Sequence, residues 1–590
     1  MMVFVFYLIC SQIDIYQSKL VAIKKKLLLF SLARIFVYLA GVMGIYTFFH
    51  QIEITVAFTV LSIAIFLFLV SKHSDAKKQR DLCKALVKIN EEEIKIASGN
   101  FHHRYNGLDY QDTNHFYSLD IDLFGKGSFF QFINRTSISE GTDSLAEILK
   151  ANDTKNIKRR QDAIKELSKK VNWRQEYTAK GQLINEDTSS HVIVNWLKTY
   201  KTFIPKIMKL IPFVFGALSI AFIVLGILKI TPIDYILYWL LFGLAITGFY
   251  FSKITNLAKY STQIKDTFRQ YALLLQQIES EEFSSELINE KQQKIILKGQ
   301  KASKIFTSFS KSLDALDNRN NMFFIILGNG FFLWDLMQSY KIEQWIITYG
   351  KSIDNWFDVV SFFDAYNSLG NYGYNHSEFV FPEIVKAGSV IKAEHLGHPL
   401  LNKDKRVDSD LTIENEQFFI VTGANMAGKS TFLRTVSLHI VMANVGLPIC
   451  AKSSQYSPVK LITSMRTSDS LIDDSSYFFS ELTRLKFIVD AIQKEPYFIV
   501  LDEILKGTNS TDKAIGSRKF VEKLVASNAT GIIATHDLSL CEISKALDDV
   551  KNYYFDAEIV NDELHFDYTL KEGVSQNMNA SFLLKKMEII

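Results

Sequence analysis

Apolar and polar positions follow three different patterns along this chain. Near the N-terminus, residues 27–49 (LLLFSLARIFVYLAGVMGIYTFF) are apolar except for Arg34, and residues 54–70 (ITVAFTVLSIAIFLFLV) carry no charge. A second pair of apolar runs covers residues 211–230 and 235–251. Each run approaches the roughly 20 residues that cross a bilayer core as helix. The connectors, 50–53 and 231–234, are short, so each pair predicts a transmembrane helical hairpin. Residues 322–336 form a shorter run containing Asn329 and Asp335, which predicts a core helix rather than a fifth span. Residues 1–10 are too short to span and lack a basic n-region, so they read not as a signal peptide but as an unstructured start or an artefact of start-codon choice.

The middle of the chain reads as helical. Residues 258–293, rich in Gln, Glu, Lys and Leu, predict one long helix, either a lever arm or a solvated bundle helix. The C-terminal third changes to short buried-strand runs at 416–421 (EQFFIV), 497–501 (YFIVL) and 529–534 (ATGIIA). The first is followed by a helical pattern, FLRTVSLHIVMANV. Residues 553–571 alternate around Asn561-Asp562 and predict a hairpin on a sheet edge.

Composition narrows the class. Hydrophobic residues make up 48% and charged residues 22% of 590, too apolar for disorder and too polar for a protein that is all membrane. Lys+Arg 66 against Asp+Glu 63 leave a net charge of +3. That excludes a strongly basic nucleic-acid coat but not a local basic patch. Two basic stretches, 155–160 (KNIKRR) and 165–170 (KELSKK), read as solvated helix faces rather than DNA contacts. The cysteines Cys10, Cys83, Cys450 and Cys541 are scattered, with no CxxC and no zinc spacing, and read as reduced thiols. Basic residues flank the hairpins on one side: Lys24, Lys25 and Lys26, then Lys72, Lys77, Lys78 and Arg80, then Lys201, Lys206 and Lys209, then Lys253. The positive-inside rule places both termini and the large segments in the cytoplasm, here of a bacterial inner membrane. The expected organisation is an N-terminal segment (1–26), hairpin one (27–70), a first helical part (71–204), hairpin two (205–252), a helical lever (253–390) and a C-terminal domain (391–590).

The chemistry sits in that last domain. The strand at 416–421 runs directly into Thr422-Gly423-Ala424-Asn425-Met426-Ala427-Gly428-Lys429-Ser430-Thr431 and then a helix. Strand, G-x-x-x-x-G-K-S and helix in this order form a phosphate-binding loop. Gly423 and Gly428 let backbone N–H groups turn towards phosphate oxygens, and the helix N-terminus adds its dipole. Lys429 is placed to reach the β- and γ-phosphates, and Ser430 to ligate Mg²⁺. The second strand ends in Asp502-Glu503. Asp502 suits Mg²⁺ held through water, and Glu503 suits activation of the attacking water. The third ends in Thr535-His536-Asp537, where His536 suits contact with the γ-phosphate or the water. The expected fold class is therefore a C-terminal α/β P-loop ATPase with a mostly parallel sheet. An α-helical core or lever with four transmembrane helices in two hairpins precedes it. The expected cofactors are ATP and Mg²⁺.

These residues together resemble the ATPase domain of the DNA mismatch-repair MutS family. TGANMAGKST carries that family's asparagine at Asn425, LDEILKGTNSTD (501–512) resembles its Walker B and D-loop, and ATHD resembles its histidine switch. SSYFFSEL (475–482) resembles its signature segment, which implies that Ser476 reaches the γ-phosphate of a partner protomer. Gly397-His398-Pro399-Leu400-Leu401 and Arg406-Val407-Asp408-Ser409-Asp410 resemble the segments leading into the domain, with Ser409 where an Asn is usual. Residues 124–149, 157–167 and Phe363-Asp364-Ala365 resemble the family's helical core. The departures are large. No counterpart of the mismatch-reading N-terminal domain is present, and the second hairpin stands where the family inserts its DNA clamp. The resemblance implies a homodimer closed by ATP and opened by hydrolysis, with duplex or branched DNA as the expected partner beside the bilayer. A nucleotide-gated membrane scaffold without DNA is the alternative. An ATP-driven transporter is less favoured, because LSGGQ is absent and Arg34 and Lys229 lie near span ends, where they can snorkel.

Overall fold

The structure is a computed structural model that describes residues 2–183, 189–297, 299–386, 388–466, 477–506, 508–560 and 563–575. Two helices of 46 residues open it, α1 (Met2–Thr47) and α2 (Ile52–Ala97). At ~1.5 Å per residue each is roughly 70 Å long, more than twice the bilayer core. The apolar runs therefore occupy one end of the hairpin, and the other end is a stalk. Helix begins at Met2, so residues 2–10 are not the unstructured start that their sequence suggests. No Gly or Pro precedes Gly41 to stop the helix. The far end of α2 docks on the helical core. There Asn90 and Gln175 exchange amide hydrogen bonds of 3.2 and 2.9 Å.

The core begins with α3 (Ser139–Lys150), α4 (Ile157–Lys169) and α5 (Val171–Gly181). The second apolar pair forms α6 (Ile211–Ile227) and α7 (Ile233–Phe249), and α8 (Phe251–Glu279), α9 (Ala302–Asp317), α10 (Trp334–Tyr349) and α11 (Ile353–Asn375) complete the core. Among the described residues, α1 from Ile9 and α2 are long and apolar enough to cross a membrane. Helix α6 falls short of that length at 17 residues, and α7 reaches it only together with α8, from which it is bent by 69°.

Two expectations change here. The single helix expected over 258–293 breaks after Glu279, and Glu286–Gln293 is a separate helix. The break has a polar cause: the Glu166 carboxylate accepts Ser284 N and Ser285 N, both at 2.7 Å. Nor is α8 a solvated arm. Ile264, Phe268, Tyr271, Leu275 and Ile278 recur at helical spacing and are buried, and the Phe268 ring meets Phe306 and Phe309 edge-on. Residues 322–336 are not one core helix either. Phe324–Gly328 winds as a π-turn, Leu333 turns left-handed at φ 48°, and Met322 and Phe323 are each 73% exposed. The segment lies beside the second hairpin, where Ser219 Oγ of α6 donates to Phe331 O at 2.7 Å.

The C-terminal domain holds β1 (Glu383–Ile384), β2 (Ser389–Leu396), β3 (Ser409–Glu414), β4 (Phe418–Gly423), β5 (Ser453–Tyr456), β6 (Lys460–Ser464), β7 (Tyr497–Asp502), β8 (Thr530–Ala534), β9 (Val550–Val560) and β10 (Glu563–Glu572). Six of these form one sheet in the order β10-β9-β4-β8-β7-β6, parallel except for the edge strand β10. The expected edge hairpin is β9–β10. Helices α12 (Lys429–Val445), α13 (Tyr477–Ile492) and α14 (Ser510–Ala526) flank the sheet. The helical core grips this domain through named bonds. Arg160 Nε and Nη2 donate to Asn444 O near the end of α12 at 3.0 and 2.7 Å, and Asn152 Nδ2 donates to Leu461 O of β6 at 2.9 Å.

Asp364 of α11 is fully buried and ties α3 to α11. Its carboxylate accepts Ser137 N and Oγ at 2.8 Å each and Ile138 N at 3.0 Å. Asp364→Ala leaves buried donors unpaired and is expected to cost about 2–4 kcal/mol. Urea unfolding followed by circular dichroism checks this, with Asp364→Asn losing less.

Candidate nucleotide-binding site

Strand β4 is buried along its whole length and delivers the chain into the loop at Gly423. Gly423 has φ 145°, and a Cβ there would stand 2.7 Å from Phe555 O. Gly428 has φ 108° and opens α12, so both loop glycines sit where an L side chain is strained. Asn425 and Met426 are exposed at the loop crest, whereas Ala427 is buried. Lys429 is 7% exposed and folds back under the loop. Its Nζ donates to Gly423 O at 2.7 Å and Ala424 O at 2.9 Å and lies 3.3 Å from His536 Nε2. Burial pulls the Lys429 ammonium below its usual range, an effect opposed by Asp502 and Glu503.

The two acidic positions arrive from β7. Ser430 Oγ donates to Asp502 Oδ2 at 2.8 Å, which brings together the two oxygens expected to hold Mg²⁺. A hydroxyl beside a carboxylate at the mouth of a phosphate loop is the hard-oxygen set this ion prefers, so the residues fit it. Glu503 follows with φ 50°, and its N donates to Ala534 O at 2.9 Å. Partial burial alone would raise the Glu503 carboxyl. The Lys513 ammonium, 2.7 Å from Oε1, outweighs it and holds Glu503 ionised well below neutrality. His536 is lowered by desolvation and then by the Lys429 charge, so it is neutral at pH 7 and free to accept as well as donate.

These side chains share a cavity of about 720 Å³ with residues of the lead-in segments and of the edge hairpin. His398 lines it and is pushed down to about 4 by burial, with Arg434 and Arg406 adding to the effect. Val407 and Ser409 line the same wall, so the lead-in segments do reach the site. Tyr568 comes from β10 with φ 54°, and its ring lies 3.2 Å from where a Gly428 Cβ would stand. Only the alternation of the edge hairpin hinted at it. Lys513 was also missed; its place one turn into α14 after the acidic pair was the available signal. Glu481, at 3% exposure, accepts Leu505 N at 2.6 Å and Lys506 N at 3.0 Å, fastening α13 to the segment after Glu503. Ser476 lies outside the described residues.

The Tyr568 ring packs over the loop at Gly428 and lines the same cavity, so its removal is expected to be felt by a bound nucleotide. Tyr568→Ala is expected to weaken nucleotide binding about tenfold, ~1.4 kcal/mol, and Tyr568→Phe to leave it nearly unchanged. Titration with a fluorescent ATP analogue checks both.

Residues 419–586 match the family described as MutS domain V. The chain is 30% identical to the MutS protein homolog 4 of Homo sapiens over 244 residues, 39% of this chain and 25% of that protein. It is 31% identical to the DNA mismatch repair protein MutS of Aquifex pyrophilus over 201 residues, 33% of this chain and 23% of that protein. With the DNA mismatch repair protein MutS of Methanococcoides burtonii it shares 29% over 235 residues, 38% of this chain and 26% of that protein. The match thus spans about a quarter of the length of these curated relatives. The C-terminal domain of this chain is thus similar to domain V of MutS-family proteins.

Proposed function

We propose that this chain is a membrane-anchored MutS-type ATPase that hydrolyses ATP and couples the cycle to duplex or branched DNA. One observation carries the ATPase reading: Lys429, Ser430, Asp502, Glu503 and His536 meet at the ends of three neighbouring strands of a MutS domain V. In this mechanism the N–H groups of the loop, Gly423 to Thr431, cradle the phosphates, and Lys429 exchanges its two carbonyl partners for the β- and γ-phosphates. Ser430 and Asp502 would hold Mg²⁺, which when bound would neutralise charge developing on the phosphate oxygens. Ionised Glu503 takes the proton of the attacking water, and neutral His536 steadies that water or the γ-phosphate. Two protomers pair through these domains, each site being completed by Ser476 of its partner.

The hairpins α1–α2 and α6–α7 are proposed as four spans in a bacterial inner membrane, with both termini and the ATPase domain in the cytoplasm. Supporting this, large apolar side chains such as Phe36, Leu39, Leu67, Phe213 and Leu237 stand exposed on all four helices. With Cys10 and Cys83 replaced by Ser, a cysteine placed at Gln51 on the short connector should then react with a membrane-impermeant maleimide from the periplasmic side only. Labelling from the cytoplasmic side would overturn this orientation.

A second reading is a nucleotide-gated scaffold without DNA, and three cations of the basic stretches favour it. Arg159 pairs with Glu286 and Glu290, Arg160 with Asp153, and Lys170 with Glu281. These cations are engaged within the chain, whereas tight phosphate-backbone binding needs free ones. Hydrolysis by the full chain in nanodiscs, with and without duplex DNA and with Lys429→Ala as blank, separates the readings. DNA should change turnover several-fold; indifference to every DNA form would favour the scaffold. Glu503→Ala should bind ATP yet lose turnover at least 100-fold. Normal turnover by that variant would overturn its role.

A further inference from the structure

Where the stalk meets the helical core, α2, α5 and α11 enclose a cavity of about 350 Å³, apart from the nucleotide site. Arg104, Arg135 and Arg174 all line it, and Glu93 of α2 is the buried carboxylate among them. Glu93 is already committed. It accepts Arg135 Nη2 at 3.3 Å, Asn371 Nδ2 at 3.0 Å and Asn375 Nδ2 at 2.9 Å. The other acid of the lining, Glu92, is bonded to His103. Positive charge therefore exceeds negative along the lining of this half-open cavity.

The donors are also under-used. Arg174 is 3% exposed; its Nε donates to Leu167 O and its Nη1 to Asn371 Oδ1, both at 2.8 Å, while Nη2 is buried with no partner. Arg104 Nη2 donates to Asn134 O at 2.8 Å, but its buried Nε has none. Asn367 of α11 is 2% exposed, and neither Oδ1 nor Nδ2 of its amide has a partner. A wholly unpaired buried amide is costly, as is an incompletely bonded buried guanidinium. Burial, and for Arg104 also the Arg135 charge, pushes both guanidiniums down to about 10, the direction expected of cations short of counter-charge.

We propose that this cavity, where the stalk helix α2 meets the core, binds a small soluble oxyanion of the phosphate type, held by Arg104, Arg174 and the Asn367 amide. Guanidinium forks match the oxygens of such an anion, and an amide N–H completes the set. The volume suits inorganic phosphate or a small phosphate ester. A lipid headgroup is not the source: Lys88 to Glu93 lie roughly 30 Å along α2 from Val70, where the apolar run ends. That exclusion rests on the membrane reading above; the anion site itself does not.

The test uses the full chain in nanodiscs carrying Lys429→Ala, which weakens phosphate binding at the nucleotide loop. Equilibrium dialysis with radiolabelled inorganic phosphate should show one retained equivalent per chain, and phosphate should raise the unfolding midpoint relative to chloride at equal ionic strength. Adding Asn367→Leu should weaken that binding at least tenfold. Without phosphate the same variant should unfold at the same temperature or higher, since it removes an unpaired buried amide. Arg104→Gln is the second variant and should weaken binding likewise. No phosphate uptake in the Lys429→Ala chain, or uptake unchanged by Asn367→Leu and Arg104→Gln, would overturn the site and leave the cavity to water. ATP binding by Asn367→Leu with Lys429 intact checks that the nucleotide site stands, so the two sites fail separately.

Discussion

One constraint organises the nucleotide-site face: β4 is wholly buried between two parallel neighbours, β8 and β9, and delivers the chain to the loop at the carboxyl edge of the sheet. The register does the rest. Ala534 pairs with Val421 on one side and with Asp502 on the other, and Phe555 pairs with Gly423. The phosphate loop, the acidic pair and the histidine must then emerge side by side. The helix dipole of α12 points at the same place. Lys429 is held under the loop by the carbonyls of Gly423 and Ala424.

The same constraint sets how motion at the loop can leave the domain. Helix α12 begins at the loop and ends against the core, where the Arg160 guanidinium sits on Asn444 O, a cation at a helix C-terminus. Arg160 belongs to α4, which packs along α11, and α11 carries Asp364 and Asn371, the latter bonded to Glu93 at the stalk end. A second path runs from β6. Thr463 Oγ1 donates to Asp120, and Arg484 of α13 donates to Phe116 O at 2.7 Å. The loop, the core and the stalk are therefore joined by packed helices and hydrogen bonds rather than by a flexible linker.

The sequence made the site legible wherever a motif fixes backbone geometry. The glycines, Lys429, Ser430 and the acidic pair lie where strand–loop–helix order puts them, and the structure brings them into one cavity. Tyr568 and Lys513 were illegible because their roles depend on which strand and helix happen to fold over the loop, a tertiary fact. The helical core was read at the level of helices, but not at their breaks. The interruption after Glu279 comes from Glu166, more than 100 residues earlier in the chain. Residues 322–336 showed the same limit. Their apolar pattern suggested burial in the core, whereas their neighbours are the apolar helices of the second hairpin. Hydropathy marks such a segment as apolar without saying which apolar surface it meets.

The central claim is that the nucleotide state of the loop is felt at the stalk end of α2. Hydrogen exchange on the full-length Glu503→Ala chain in nanodiscs, with and without ATP, tests it most directly. The account predicts that ATP alters protection in the loop and α12, and also in α4, α11 and the stalk end of α2. Changes confined to residues 391–590, with α11 and α2 untouched, would contradict it.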